Sequence, residues 1–184
     1  MAYILISVVI VLFAVHFYRK AKRHSVKPFP EHWHKLLTDN VLFYRNLSKD
    51  AQLIFQQKMM QFLSEVYIDA VQFELEELDK ILIAASAVIP VFGFKEWYYN
   101  NLSGVIVYPD TFNHDLQFSS KSEKRQILGM VGTGQFEKQM ILSKKALHHG
   151  FKNTTDKSNT GIHEFVHLID KLDDFTDGIP ERLL

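Results

Sequence analysis

The pattern of apolar and polar positions divides the chain into a long apolar segment, two helical stretches, two short strands and a last helix. Met1 to Tyr18 reads MAYILISVVIVLFAVHFY, interrupted only by Ser7 and His16. As a helix it would span about 27 Å, near the lower limit for a hydrocarbon core of about 30 Å. Arg19, Lys20, Lys22, Arg23 and Lys27 follow at once, and under the positive-inside rule they put the C-terminal side in the cytoplasm. The expected organisation is a single-pass transmembrane anchor at residues 1–18, a basic juxtamembrane linker at 19–30 and a domain on the cytoplasmic side at 31–184. A cleaved signal peptide is the rival reading. No Lys or Arg precedes the apolar run, however, and no clear small-x-small cleavage site follows it.

Beyond the linker, Ser48 is placed to cap a helix running through LSKDAQLIFQQKMMQFLSEV. Leu75, Leu78, Leu82, Ala85 and Ile89 trace the apolar stripe of a second, amphipathic helix that Pro90 ends. Glu74, Glu76, Glu77 and Asp79 read as its solvated first turn. The pattern then changes to that of strands at Val105–Tyr108 and Gln139–Ser143, bounded by Gly, Pro and Asn. Met140–Ser143 reads as a core strand, with an edge for an extended peptide as the alternative. Helices, then strands, then a helix predict an α+β fold in which a small sheet lies over the last helix.

That last helix carries the chemistry. Gly161-Ile-His-Glu-Phe-Val-His-Leu-Ile-Asp170 contains one H-E-x-x-H. Residues four apart on a helix stand one above the other, so His163 and His167 can each bring a ring nitrogen to roughly 2.0 Å from one Zn2+ ion. Glu164 is turned about 100° from His163, within reach of a metal-bound water rather than of the metal. Phe165, Leu168, Ile169 and Leu172 gather on the opposite face. Ser158, Asn159 and Thr160 supply cap chemistry ahead of the helix, and Thr176, Asp177, Gly178 and Pro180 supply turn chemistry after it. Asp170 shares the ligand face, where a carboxylate can accept the second ring proton of a ligand histidine or hold a neighbouring loop. The competing picture is a surface helix with solvated histidines and an exposed Asp170. Neither His148-His149 nor His32 with His34 has the helical spacing of a zinc site, and both pairs read as surface or locally satisfied residues.

Composition narrows the classes. The 184 residues are 47% hydrophobic and 23% charged, enough for one ordinary core. Twenty-one basic residues balance twenty-one acidic ones, and no basic, aromatic-interleaved stretch of the body forms a nucleic-acid groove. The absence of cysteine excludes disulfides and thiolate zinc sites.

The residues resemble the Mlc titration factor A family, zinc-dependent peptidases with a zincin-type core. The resemblance rests on AASAVIPVFGF at Ala84–Phe94, VIVYPDTF at Val105–Phe112, Leu142-Ser143, and GIHEFVHLID followed by DGIP, and it runs from about Phe29 to the end. It implies a peptidase of aminopeptidase-like preference on short peptides and, in some members, binding to a transcriptional repressor of sugar uptake. The best-known members appear soluble, whereas this chain begins with an apolar segment. In the family a glutamate several dozen residues after the second histidine is the third zinc ligand, which is expected here beyond Leu184 in a domain incomplete at its C-terminus. Asp173 stands at the offset where some metalloproteases carry their third ligand. Asp170 replaces their helix-breaking glycine, however, and on a continuous helix Asp173 points about 80° from His163, so it is not assigned. The sequence thus predicts a membrane-anchored, zinc-dependent peptidase acting on peptide or protein substrates, with His163 and His167 as metal ligands and Glu164 as catalytic base. The second reading is a membrane-tethered binding module that sequesters a cytoplasmic transcriptional regulator, its metal site structural or vestigial.

Overall fold

A computed structural model describes residues 26–110, 129–131, 138–153 and 158–172. The expected anchor at 1–18, most of the linker, Asp173 and the turn at 176–180 lie outside the described residues. Residues 26–30 form no regular element, and among the described residues no helix is long and apolar enough to cross a membrane.

Three helices come first. α1 (Trp33–Asn40) buries Trp33 and Leu37, and the one-turn α2 (Leu42–Arg45) buries Tyr44. α3 (Lys49–Glu65) starts where Ser48 Oγ accepts the Ala51 N–H at 3.3 Å. Its buried residues Phe55, Met59 and Phe62 recur at helical spacing, as one core-facing stripe requires. After β1 (Tyr67–Ala70) comes α4 (Glu77–Val88), which runs on into a 3-10 turn at Ile89–Val91 containing Pro90.

α4 departs from the expected amphipathic helix, because all eight residues from Ile81 to Val88 are buried. It is covered on several sides, by α1, by α3, and by α5 (Lys144–Lys152) and α6 (Thr160–Asp170). A helix apolar all round belongs in a core. Small side chains at Ala84, Ala85, Ser86 and Ala87 let its neighbours approach closely.

The sheet has the order β1-β2-β4-β3, with β2 (Gly104–Tyr108), β4 (Gln139–Ser143) and β3 (Gly129–Val131). β1, β2 and β4 are parallel, while β3 pairs antiparallel with β4 through Gly129 with Leu142 and Val131 with Met140. β2 and β4 are nearly continuous apolar runs, the signature of strands covered on both faces. β4 lies between β2 and β3, so Met140–Ser143 is an interior strand and not an edge. β4 passes directly into α5, with Ser143 Oγ accepting the Ala146 N–H at 3.1 Å as the cap. α6 packs on β3 and β4, which lays the small sheet over the motif helix in an α+β arrangement.

The N-terminus of α6 is seated by glycine. A Cβ on Gly161 would overlap Ser86 Oγ of α4 and stand 2.8 Å from Leu147 Cδ1 of α5. A Cβ on Gly150 of α5 would meet the Asn159 backbone at 2.9 Å. Gly161→Ala should therefore lower unfolding stability by about 1–3 kcal/mol, the usual cost of overpacking. Urea denaturation of Gly161→Ala, Ser86→Ala and the double variant tests this, since relief of the Ser86 clash should make the double variant more stable than the sum of the singles.

Candidate active site

α6 is capped by Asn159, whose Oδ1 accepts the Ile162 N–H at 3.0 Å. Asn159 is thus the member of the Ser158–Thr160 cluster that performs the cap. From there the helix divides by solvation. Phe165, Leu168 and Ile169 are buried, whereas His163 and His167 are exposed. Phe165 sets its ring against Phe62 and Tyr99, with centroids 5.5 and 5.2 Å away. Tyr99 is itself fixed by donating its hydroxyl to the Ala87 carbonyl at 2.7 Å. At the other end of the helix, Asn101 Nδ2 donates to the Leu168 carbonyl at 2.7 Å, occupying one of the acceptors that a helix C-terminus leaves free.

The two imidazoles converge. His163 Nε2 and His167 Nε2 are 3.0 Å apart, and the rings are steeply inclined at 77°. At that separation the nitrogens either share one proton or, both unprotonated, direct two lone pairs into the same space. Two nitrogens bound to one tetrahedral zinc ion would stand roughly 3.3 Å apart, so the pair fits two ligands of a single ion. His167 has its pKa lowered by burial and by the neighbouring His163, with Asp170 acting in the opposite direction. The neutral ring that a metal requires is therefore favoured. Among the described residues no cluster of three or more His, Asp or Glu side chains gathers around a common point.

The carboxyl groups occupy a different environment. Glu164 is only 7% exposed, and burial pushes its pKa up from 4.5 to about 7, while Lys171 opposes the rise. Asp170, 4% exposed, is also buried rather than displayed on the surface. Glu164 is thus an acid whose protonation changes near neutrality, held one position along the helix from an exposed imidazole.

Three other described histidines have carboxylate or hydroxyl partners of their own. His32 Nε2 meets Glu77 at 2.8 Å, His34 Nδ1 meets the Tyr44 hydroxyl at 2.7 Å, and His148 Nε2 meets Asp79 Oδ1 at 2.6 Å. This last contact corrects the reading of Asp79 as part of a solvated turn, for its side chain is fully buried. Tyr99, Asn101 and Asp79 are the structural partners that the sequence alone did not expose. Only Asp79 had a local signal: Glu76 and Asp79 stand three apart, and together they form a capping box at the start of α4.

The features of α6 define a helix built to present paired imidazoles beside a buried acid. The chain matches the family described as glucose-regulated metallo-peptidase M90 over residues 15–183, and it belongs to that family. It is also similar to the uncharacterized protein slr2042 of Synechocystis sp., 27% identical over 166 residues. That alignment covers 88% of this chain, which spans about 60% of the length of that relative.

Two measurements follow from the geometry. Because the folded pKa of Glu164 is raised, its contribution to stability is fully present below pH 4.5 and is lost as pH rises through about 7. The metal-free protein should therefore lose on the order of 2–3 kcal/mol between pH 5 and 8 through this group. In Glu164→Gln that share of the pH dependence should vanish, which urea midpoints at the two pH values would reveal. Asn101→Leu leaves the Leu168 carbonyl without its donor and should cost about 1–2 kcal/mol in the same assay, and Asn101→Asp, which sets a carboxylate against a carbonyl, should cost more.

Proposed function

We propose that this chain is a membrane-anchored, zinc-dependent peptidase with a zincin-like catalytic domain. His163 and His167 are its metal ligands and Glu164 its general base. The observation that carries the reading is the 3.0 Å approach of the two Nε2 atoms beside a buried glutamate, in a member of a metallo-peptidase family. The anchor at 1–18, with residues 31–184 on the cytoplasmic side, rests on the apolar run and the basic cluster behind it.

Zn2+ bound by the two imidazoles, with a third ligand outside the described residues, would supply a Lewis acid for the scissile carbonyl and an acidified water. Glu164 is placed to act as the base that would take a proton from the attacking water and return it to the departing amine. A carboxyl group poised near pH 7 suits both directions of transfer. Asp170 supports the ligand face by orienting a histidine or holding the adjoining backbone.

Substrate backbone is assigned to β3 rather than to β4. Tyr67 N–H and Val71 N–H point toward β2, so Ile68 and Ala70 face outward from β1. The Ala70 N–H is already taken by the Asp69 carboxylate at 2.8 Å, which blunts that edge. β3 is the other edge of the sheet among the described residues, and it packs on α6. An extended peptide added there would lie along the strand that packs on the motif helix.

Glu164→Gln is expected to bind zinc stoichiometrically while losing peptide hydrolysis by 100-fold or more, roughly the general-base contribution. His163→Ala should lose both. Metal content and turnover of short peptides with free N-termini check this in the full-length protein. Normal turnover by Glu164→Gln would remove the proposed base, and stoichiometric zinc with no wild-type turnover would favour a binding module that sequesters a transcriptional regulator.

A further inference from the structure

We infer that Asp79, in the first turn of α4, is a positioning residue for the paired imidazoles of α6 and acts through α5 as a strut. The inference rests on the metal-site reading above. Asp79 lies in the first turn of α4 with no exposed side-chain surface. Its Oδ1 meets His148 Nε2 at 2.6 Å, and its Oδ2 meets Lys144 Nζ at 3.0 Å and accepts the Glu76 N–H at 2.9 Å. Glu76 Oε1 holds the same ammonium at 2.8 Å. A fully buried carboxylate with three donors is rigidly located, because losing any one of them leaves charge in a low-dielectric interior.

Lys144 and His148 are four apart and therefore share one face of α5. The residues that touch α6 lie on the neighbouring face. Leu147 closes against Gly161, and Gly150 against the backbone of Asn159. Asn159 caps α6 through Ile162, and its carbonyl accepts the His163 N–H at 2.9 Å. A fixed Asp79 thus fixes α5, α5 fixes Asn159 and Gly161, and these set the height and rotation from which His163 reaches toward His167. Leu147 and Gly150 leave no slack at the contact, so a shift of α5 is passed on to α6.

The test uses the metal-free full-length protein, titrated with Co2+ and followed by its visible absorption at a temperature well below unfolding. Histidine ring 15N spectra are recorded before metal is added. Asp79→Asn is expected to weaken Co2+ binding about ten-fold or more and to move the His163 and His167 ring resonances. His148→Gln, which can keep a donor on Asp79, should stay within about two-fold of wild type, whereas His148→Leu should match Asp79→Asn. The His148 pair carries the test if Asp79→Asn does not fold. Wild-type Co2+ affinity and ring resonances in Asp79→Asn and His148→Leu would overturn the inference, as would a His148→Gln variant as weak as His148→Leu. If the wild-type protein takes up no Co2+ yet the ring resonances move in these variants, the positioning role stands and the metal-site reading fails.

Discussion

The structure turns on the close approach of three helices at Gly161. The absence of a side chain there lets the first turn of α6 rest on Ser86 of α4 and Leu147 of α5. The N-terminal turn of the motif helix takes its position from that contact. Phe165, Leu168 and Ile169 face the core because the helix is seated with that side inward, and burial of such side chains contributes roughly 1.5–3 kcal/mol each. That gain offsets the cost of placing Glu164 where its charge is poorly solvated. The same seating turns His163 and His167 outward, so one rotation of one helix buries the carboxyl and exposes both imidazoles.

The chemistry depends on this division of solvation. The exposed side gives both imidazoles access to solvent, while partial burial and the neighbouring His163 lower the His167 pKa. Burial raises the Glu164 carboxyl to about 7, whereas in water it would be ionised far below that. On a helix, adjacent positions differ by about 100°, so a histidine and the next residue can occupy these opposite environments without a bend or a loop. The order His-Glu in the motif is therefore a solvation pattern as much as a list of reactive groups.

What could be read from the sequence was whatever depends on neighbours along the chain. The i, i+4 histidines, the apolar face of the same helix, the Ser48 cap and the two strands at 105–108 and 139–143 are local patterns, and they are where the sequence puts them. Residues defined by distant partners were not legible. Asp79 sits in an acidic run that reads as solvated, yet it is buried because Lys144 and His148, more than sixty positions away, come to it. Asn101 looks like loop chemistry and instead caps a helix 67 residues on. β1 is four residues long, and its positions alternate only between exposed and half-buried, so the short apolar-polar sequence YIDA carried no strong signature of its pairing with β2. The placement of β4 inside the sheet depends on where β3 comes to pair, which the residues of β4 do not encode.

The two ends of α6 are held by different parts of the chain, and this bears on how the imidazole pair keeps its spacing. The N-terminal end, next to His163, is fixed from α4 and α5 by Gly161 and Asn159. The C-terminal end, next to His167, is fixed by Asn101 at the Leu168 carbonyl, from the loop that also carries Tyr99 against Phe165. A helix pinned at one end can still pivot, and a pivot would separate side chains one turn apart from whatever they both face. Pinned at both ends, with an aromatic ring wedged against its middle, it can neither slide nor rotate without breaking a hydrogen bond or an interlocked contact. The backbone positions from which the two nitrogens converge are then a property of the scaffold, and on the proposed metal-site reading an ion would meet ligands already carried on a fixed helix.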